Sequence, residues 1–172
     1  MRKILVSVIV AATVFTGLTV NAQSKLKIGH VDSQQLLAAM PESDSARKKL
    51  EKIAQEHELA LEEMSVEFNK KLDTYSRNMD TYSDLVRASK EAELEDLQKR
   101  IQTFQQTAEQ DISQKRRELF QPIQEKALKA VEDVAAENGY TYILDSGVGA
   151  IVYSSPEAND ITPLVKEELG LE

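Results

Sequence analysis

The chain contains no cysteine, so a thiol cannot serve as nucleophile or metal ligand. The remaining candidates for catalytic or binding residues are two histidines and a short glycine turn. His57 lies in "HELALEEM", which lacks the second histidine of a zinc-protease helix. His30 alternates with apolar residues, as in a strand, and we expect both histidines to be packing positions. Gly147-Val148-Gly149 is not followed by the Lys-Ser/Thr helix of a phosphate loop. These motifs favour a protein that is not an enzyme.

Carboxylates are abundant, but helical spacing accounts for many of them as surface ion pairs, such as Glu67 with Lys71. No nucleophile stands in a triad or elbow context, and thiolate metal sites and disulfides are excluded because cysteine is absent. We therefore expect no cofactor and no metal. A hydrolase stays open as the third alternative, behind two non-enzymatic functions described below.

The balance of charge indicates which partners the protein can have. The formal net charge is −8, and it becomes −10 when Arg2 and Lys3 are removed with the leader described next. Nucleic-acid affinity depends on Lys and Arg at phosphates, so this composition excludes nucleic acid as a partner. Aromatic residues make up 5% of the chain and tryptophan is absent, which disfavours a large compact core.

The N-terminus has the three parts of a secretory signal peptide. Arg2 and Lys3 precede the uncharged apolar run Ile4–Val20, and Val20-Asn21-Ala22 offers a small-residue cleavage site. This layout predicts a cleaved signal peptide over residues 1–22 and export of the mature chain. An uncleaved membrane anchor is the alternative, although the apolar run is short for a membrane span.

The middle of the chain, Glu42–Asn138, is rich in Glu, Lys, Gln, Leu and Ala, which are strong helix formers. Its apolar residues recur at steps of three and four, with one step of seven between Ile112 and Leu119, in two stripes typical of narrow helix–helix seams. The first stripe is Leu50, Ile53, His57, Leu61, Met64, Phe68, Leu72, Tyr75, Met79, Tyr82 and Val86. The second is Leu94, Leu97, Ile101, Phe104, Ala108, Ile112, Leu119, Ile123, Ala127, Ala130 and Val134.

Residues 76–93 separate the two stripes with Asn, Asp and Ser, which compete with helical hydrogen bonding. We therefore predict that residues 42–138 form a helical hairpin with its bend near Ser83–Lys90. The Asn138-Gly139 pair provides a helix stop.

The segment Gly139–Ser155 is interpreted as a β-hairpin with strands Thr141–Leu144 and Ala150–Tyr153. An isolated hairpin is marginally stable, and the helical hairpin would return the chain to the predicted strand Lys25–Val31, which can complete a small sheet. Two further short helices are predicted, Gln34–Met40 and one that follows Asp160. Because the exposed edges of so small a sheet are pairing templates, we expect several copies to join their sheets into one closed body.

The chain resembles the Skp (OmpH-like) family of periplasmic chaperones over nearly all of the sequence after the leader. Three short stretches carry the resemblance, together with the charged helical arms between them. They are "KIGHVDSQQLL", "EKALKAVEDVAAENGYTYILD" and "AIVYSSPEANDITPLVKEELG". The resemblance implies an α+β homotrimer with a small β-barrel-like body shared by three chains and one long antiparallel coiled-coil hairpin per chain. The body would comprise residues 23–41 and 139–172, and the arm residues 42–138.

The resemblance also implies an ATP-independent holdase that binds unfolded outer-membrane β-barrel proteins and prevents their aggregation. Six apolar residues along the arm and at its bend are our candidate client-binding residues. They are Met64, Phe68, Met79, Tyr82, Leu85 and Val86. The alternative for each is packing within the arm's own seam. A structural coiled-coil spacer or adaptor of the envelope is the alternative function.

This chain departs from the family pattern in its charge. Residues 42–138 carry 16 Lys and Arg against 22 Asp and Glu, whereas the family's arms are basic. Net charge bears on partners rather than on fold. The acidic arm disfavours contact with lipid or lipopolysaccharide, and no lipid-binding residues are transferred from the family.

Overall fold

The computed structural model describes residues 26–171 and is mostly helical, with one small sheet. Within this range the chain forms four α-helices and two β-strands. They are β1 (Ile28–Val31), α1 (Ser33–Ala39), α2 (Pro41–Asn78), α3 (Asp84–Glu137), β2 (Tyr142–Asp145) and α4 (Thr162–Glu168). The predicted signal peptide lies outside the described residues.

The sheet consists of β1 and β2, which pair in parallel with Ile28 opposite Tyr142 and Val31 opposite Asp145. The predicted partnership between the N-terminal strand and the segment after the helices is therefore confirmed. A parallel pair needs a long crossover connection, and α1, α2 and α3 together provide it. The two strands meet because α2 and α3 form a hairpin that brings the chain back to its start.

The predicted third strand, Ala150–Tyr153, is wrong, because the described sheet has only two strands. The turn after β2 folds back onto the end of β1, where the Ser146 N–H donates to the Val31 carbonyl at 2.9 Å. This contact directs the chain away from a hairpin return along β2. The other edge of β1 is instead occupied by an isolated bridge between His30 and Asp160.

The core lies where α1, the first turns of α2, the last third of α3 and α4 converge on the sheet. Its buried residues are Val31, Leu36, Met40, Ala46, Ile123, Ala127, Ala130, Val134, Ile161 and Val165. Asp32 is the N-cap of α1, and its side chain accepts a hydrogen bond from the Gln35 N–H at 2.8 Å. The predicted short helix after β1 is confirmed, as is the C-terminal one.

The arm is the antiparallel pair α2 and α3, about 57 Å and about 81 Å long at 1.5 Å per residue. Between residues 47 and 122, all of which the structure describes, Leu97 is the only residue that is fully buried. The other seam positions are mostly half-buried, because each helix of the arm has one partner helix and no third layer covers it. The predicted helical hairpin is confirmed.

The bend lies a few residues earlier than the predicted Ser83–Lys90. A single 3-10 turn, Met79–Thr81, follows α2, and α3 begins at Asp84. Ser83 is the N-cap of α3, and its hydroxyl accepts a long hydrogen bond from the Val86 N–H at 3.4 Å. Ser83 therefore starts the return helix rather than the bend, and Lys90 lies well inside that helix.

Candidate functional site

The tip of the arm consists of the 3-10 turn and the first turn of α3, and it presents four of the six candidate residues. Leu85 is 82% exposed, Met79 and Val86 are also exposed, and Tyr82 is half-buried. Helix termini and turns offer few partners for apolar side chains, so these residues face solvent at the end of an arm far from the core. We name Met79, Tyr82, Leu85 and Val86 the tip surface.

Tyr82 packs near Tyr75, which in turn contacts α3 close to the bend. Its ring lies 6.3 Å from the ring of Tyr75 between centroids, at a tilt of 33°. The Tyr75 hydroxyl donates in turn to the Glu91 carboxylate on α3, and this hydrogen bond raises the pKa of Tyr75. The aromatic pair therefore lies at the end of the arm, while Leu85 stays exposed.

Ion pairs join the two helices one to two turns behind the tip. Lys71 on α2 pairs with Glu93 on α3, and Lys90 contacts the second oxygen of Glu93 at 3.0 Å. The hydrogen bonds from Lys71 and Lys90 lower the pKa of Glu93 from 4.5 to about 2. Glu93 therefore stays ionised down to acidic pH in the folded arm.

This shift predicts a pH dependence of stability, because the pKa of Glu93 is lower in the folded chain than in the unfolded one. The stabilisation is complete above about pH 4.5 and is lost as the pH falls towards about 2. We expect Glu93→Gln to lower the urea midpoint at pH 6, and the difference from the native protein to shrink below pH 4.5.

Glu95→Gln is the matched control, because Glu95 is an exposed α3 glutamate that makes none of the ion pairs found within residues 26–171. Its urea midpoint should follow that of the native protein at every pH. A difference for Glu93→Gln that stays constant between pH 6 and pH 2 would contradict the assigned ion pairs.

Met64 and Phe68 lie further down the arm, on the seam between α2 and α3, and both are half-buried. Met64 lines a groove of about 510 Å³ together with Phe104 and the charged side chains of Lys99 and Arg100. The structure therefore places the six candidate residues in two groups. Four lie at the tip, and two lie in the seam with only part of each side chain accessible.

His57 is a seam residue, as the sequence predicts, and it makes a polar contact across the hairpin. Its Nε2 lies 2.9 Å from the Asp111 carboxylate on α3, and its ring meets Phe104 edge-on at 6.0 Å between centroids. This polar pair favours the observed register of the two helices, because a shifted register would leave both groups without this partner.

Two apolar residues of α2 that the sequence analysis missed are also exposed. Leu59 and Val66 are each 60% exposed. Neither residue follows the three-and-four spacing of the seam. The sequence nevertheless contained a signal for them, because two apolar residues seven positions apart lie on one face of a helix, and that face is otherwise charged.

The body presents a second apolar surface, on the side of the sheet that faces away from the core. Ile28, Tyr142 and Leu144 are exposed there. In the segment after β2, Val152 is 99% exposed and Tyr153 is 80% exposed. We name Ile28, Tyr142, Leu144, Val152 and Tyr153 the body surface. Large apolar side chains this exposed in a small body are typical of an interface.

The described residues offer no second kind of site. Between residues 26 and 171 no three His, Asp or Glu side chains are grouped so that they could hold a metal ion. None of the helices in this range has the combination of length and apolar composition that a bilayer crossing requires.

The sequence matches one protein family over most of its length. The family described as "Outer membrane protein (OmpH-like)" matches residues 27–169. A protein named Chaperone protein Skp from Yersinia enterocolitica is 29% identical over 147 residues, which are 83% of this chain and 85% of that protein. Chaperone protein Skp from Photorhabdus laumondii is 25% identical over 153 residues, covering 87% and 89% of the two chains.

The fold has a counterpart among solved structures. The crystal structure of an OmpH-like outer membrane chaperone from Caulobacter crescentus superposes with a TM-score of 0.71, covering 83% of this chain and 82% of that one. The sequence identity is 14%, so this likeness concerns the fold: a long helical hairpin attached to a small mixed body.

Proposed function

Since the chain belongs to the OmpH-like family, we propose that it is an ATP-independent periplasmic holdase that binds unfolded outer-membrane β-barrel proteins. The observation that carries this proposal is the arm itself. It has a thin seam, little buried surface beyond the body, and accessible apolar residues at its end. A holdase needs many weak apolar contacts on an open surface rather than one deep pocket, and this arm provides them.

The tip surface is the part of the arm best suited to such contacts. Leu85 and Met79 can pack against a client without first leaving a partner, since both are already exposed. Methionine adapts its shape to irregular apolar surfaces. Met64 and Phe68 contribute only their accessible edges unless the hairpin opens. Several weak contacts on tethered arms give useful affinity because each raises the local concentration for the next.

We further propose that three copies form a homotrimer through their bodies, which are built from residues 23–41 and 139–172. The exposed body surface supports this, because Val152 and Tyr153 gain almost no burial within one chain. The free edge of β2 is a second place where a neighbouring copy can add backbone hydrogen bonds. Three arms projecting from one body would enclose a space for a client.

We also propose that the chain is exported, that its leader is cleaved after residue 22, and that the mature protein is not an enzyme. The leader has the composition of a signal peptide, and the proposed clients cross the periplasm on their way to the outer membrane. Holding an unfolded chain requires no bond to be made or broken, and therefore no catalytic residues.

The direct test is suppression of aggregation. An outer-membrane β-barrel protein unfolded in urea is diluted into buffer with and without the purified mature protein, in the absence of nucleotide, and turbidity is followed. We expect turbidity to be strongly reduced when three chains or more are present per client. Turbidity that rises as fast as in buffer alone would overturn the proposal and favour a structural spacer.

The tip surface is tested in the same assay with Tyr82→Ser, Leu85→Ser and Val86→Ser combined. Capture should weaken while the mass and helical content of the protein stay unchanged, because these side chains contribute little to the core. Unchanged capture would remove the tip assignment and leave the chaperone function to other residues of the arm.

A further inference from the structure

The exposed residues Leu59 and Val66 lie on the side of α2 that faces away from α3. Successive helical residues are separated by 100°, so Leu59 lies about 200° from the seam residue His57, and Val66 about 200° from the seam residue Met64. Seven positions bring the helix back to within about 20°, so the two side chains share one line about 10.5 Å apart. They form an apolar pair on the outer face, separate from the tip surface.

The surroundings of this pair are strongly acidic. Residues 56–67 contain five glutamates and no Lys or Arg. Glu56 pairs with Lys52 and Glu67 with Lys71 at the two ends of the stretch. Glu58, Glu62 and Glu63 are exposed and make none of the ion pairs found within residues 26–171. By the same helical spacing, Glu62 and Glu63 lie about 50° to either side of the line that joins Leu59 to Val66, whereas Glu58 lies about 90° from it.

We propose that Leu59, Val66 and the two glutamates beside them, Glu62 and Glu63, form a docking surface for unfolded segments in which apolar residues flank a lysine or arginine. The apolar pair binds the flanking side chains, and the glutamates attract the basic residue between them. An extended chain covers about 10 Å in three residues, so one short segment reaches both ends. This inference rests on the proposed holdase function and names a class of client segment for it.

A second copy of the arm is a poor occupant of this surface. Beyond the pair, the same face continues with Lys52 and Gln55 on one side and Lys70 and Asp73 on the other, so the apolar line ends after two residues. A stable interface buries about 800 Å² on each partner, far more than two side chains supply. Two identical copies would also bring the glutamates of one arm against those of the other, which is unfavourable.

The experiment measures the binding of two fluorescent peptides to the intact mature protein. Both peptides carry the same apolar residues, and one has lysines where the other has glutamates. We expect the lysine peptide to bind at least tenfold tighter at low salt, and this preference to shrink at 0.5 M salt. Leu59→Ser with Val66→Ser should lower its affinity about tenfold, and Glu62→Gln with Glu63→Gln should reduce the preference.

Leu128→Ser is the matched control, since it removes a leucine of α3 that is 59% exposed and belongs to neither named surface, and it should leave the preference for lysine intact. Equal binding of both peptides, or no effect of the Leu59 and Val66 changes, would overturn this inference. If the native protein still suppresses aggregation in that case, the proposed function stands without it. A change in mass of the Leu59 and Val66 variant would identify a second copy as the occupant and overturn the inference too.

Discussion

Replacing Leu36 with alanine is expected to lower the free energy of unfolding by about 2–5 kcal/mol, the usual cost of a large-to-small change in a core. Leu36 is 1% exposed and is the buried residue that anchors the seven-residue helix α1. Alanine would leave a cavity between α1, α3 and α4 that this small body has little freedom to close. Urea unfolding followed by circular dichroism measures the loss.

Leu59→Ala is the matched control for stability, because it makes the same chemical change at an exposed helical position. We expect its effect to stay within about 0.5 kcal/mol. Both variants must be compared at one protein concentration, since the stability of an oligomer depends on it. Equal losses for the two variants would show that α1 is not part of the core.

The second large effect concerns assembly. Val152→Ser with Tyr153→Ser is expected to reduce the mass at micromolar concentration from that of three chains to that of one. Within a single chain both side chains are almost fully exposed, so the change removes little packing from the chain itself. Helical content should therefore remain the same while the oligomer is lost. Light scattering coupled to size exclusion measures the mass.

Leu85→Ser serves as the control for assembly, because the leucine it removes is equally exposed but lies at the far end of the arm. Its mass should equal that of the native protein. If the Val152 and Tyr153 variant also keeps the native mass, the segment after β2 is not the interface.

The arm could be predicted from sequence because its signal is long and local. More than twenty apolar positions follow helical spacing without an interrupting glycine, and their period outweighs any single residue. The bend was predicted a few residues late because serine both disrupts and caps helices. Ser83 does the second, and the spacing alone does not distinguish these roles.

The sheet was harder to predict because its contacts are distant in sequence. β1 and β2 pair across more than a hundred residues, and only the return of the arm indicated this pairing. The prediction of a second hairpin strand was wrong because it rested on the local alternation of apolar and polar residues. That alternation does not reveal the hydrogen bond from Ser146 to the end of β1. The sequence pattern did not single out Leu59 and Val66, because neither residue follows the three-and-four spacing that marks the seam.

The resemblance to the Skp (OmpH-like) family is confirmed by the family match over residues 27–169 and by relatives of similar length that are named Skp. The charge of the arm remains the feature in which this chain departs from the family pattern described above. The different charge leaves the helical hairpin intact, because net charge bears on partners rather than on fold.

We propose that the bodies of several chains join while their arms project as separate rods. Small-angle X-ray scattering of the purified mature protein, with the mass taken from the forward intensity, tests this most directly. We predict the mass of three chains and a distance distribution that extends beyond the length of α3, about 81 Å. The mass of one chain, or the profile of a compact globule, would contradict the account.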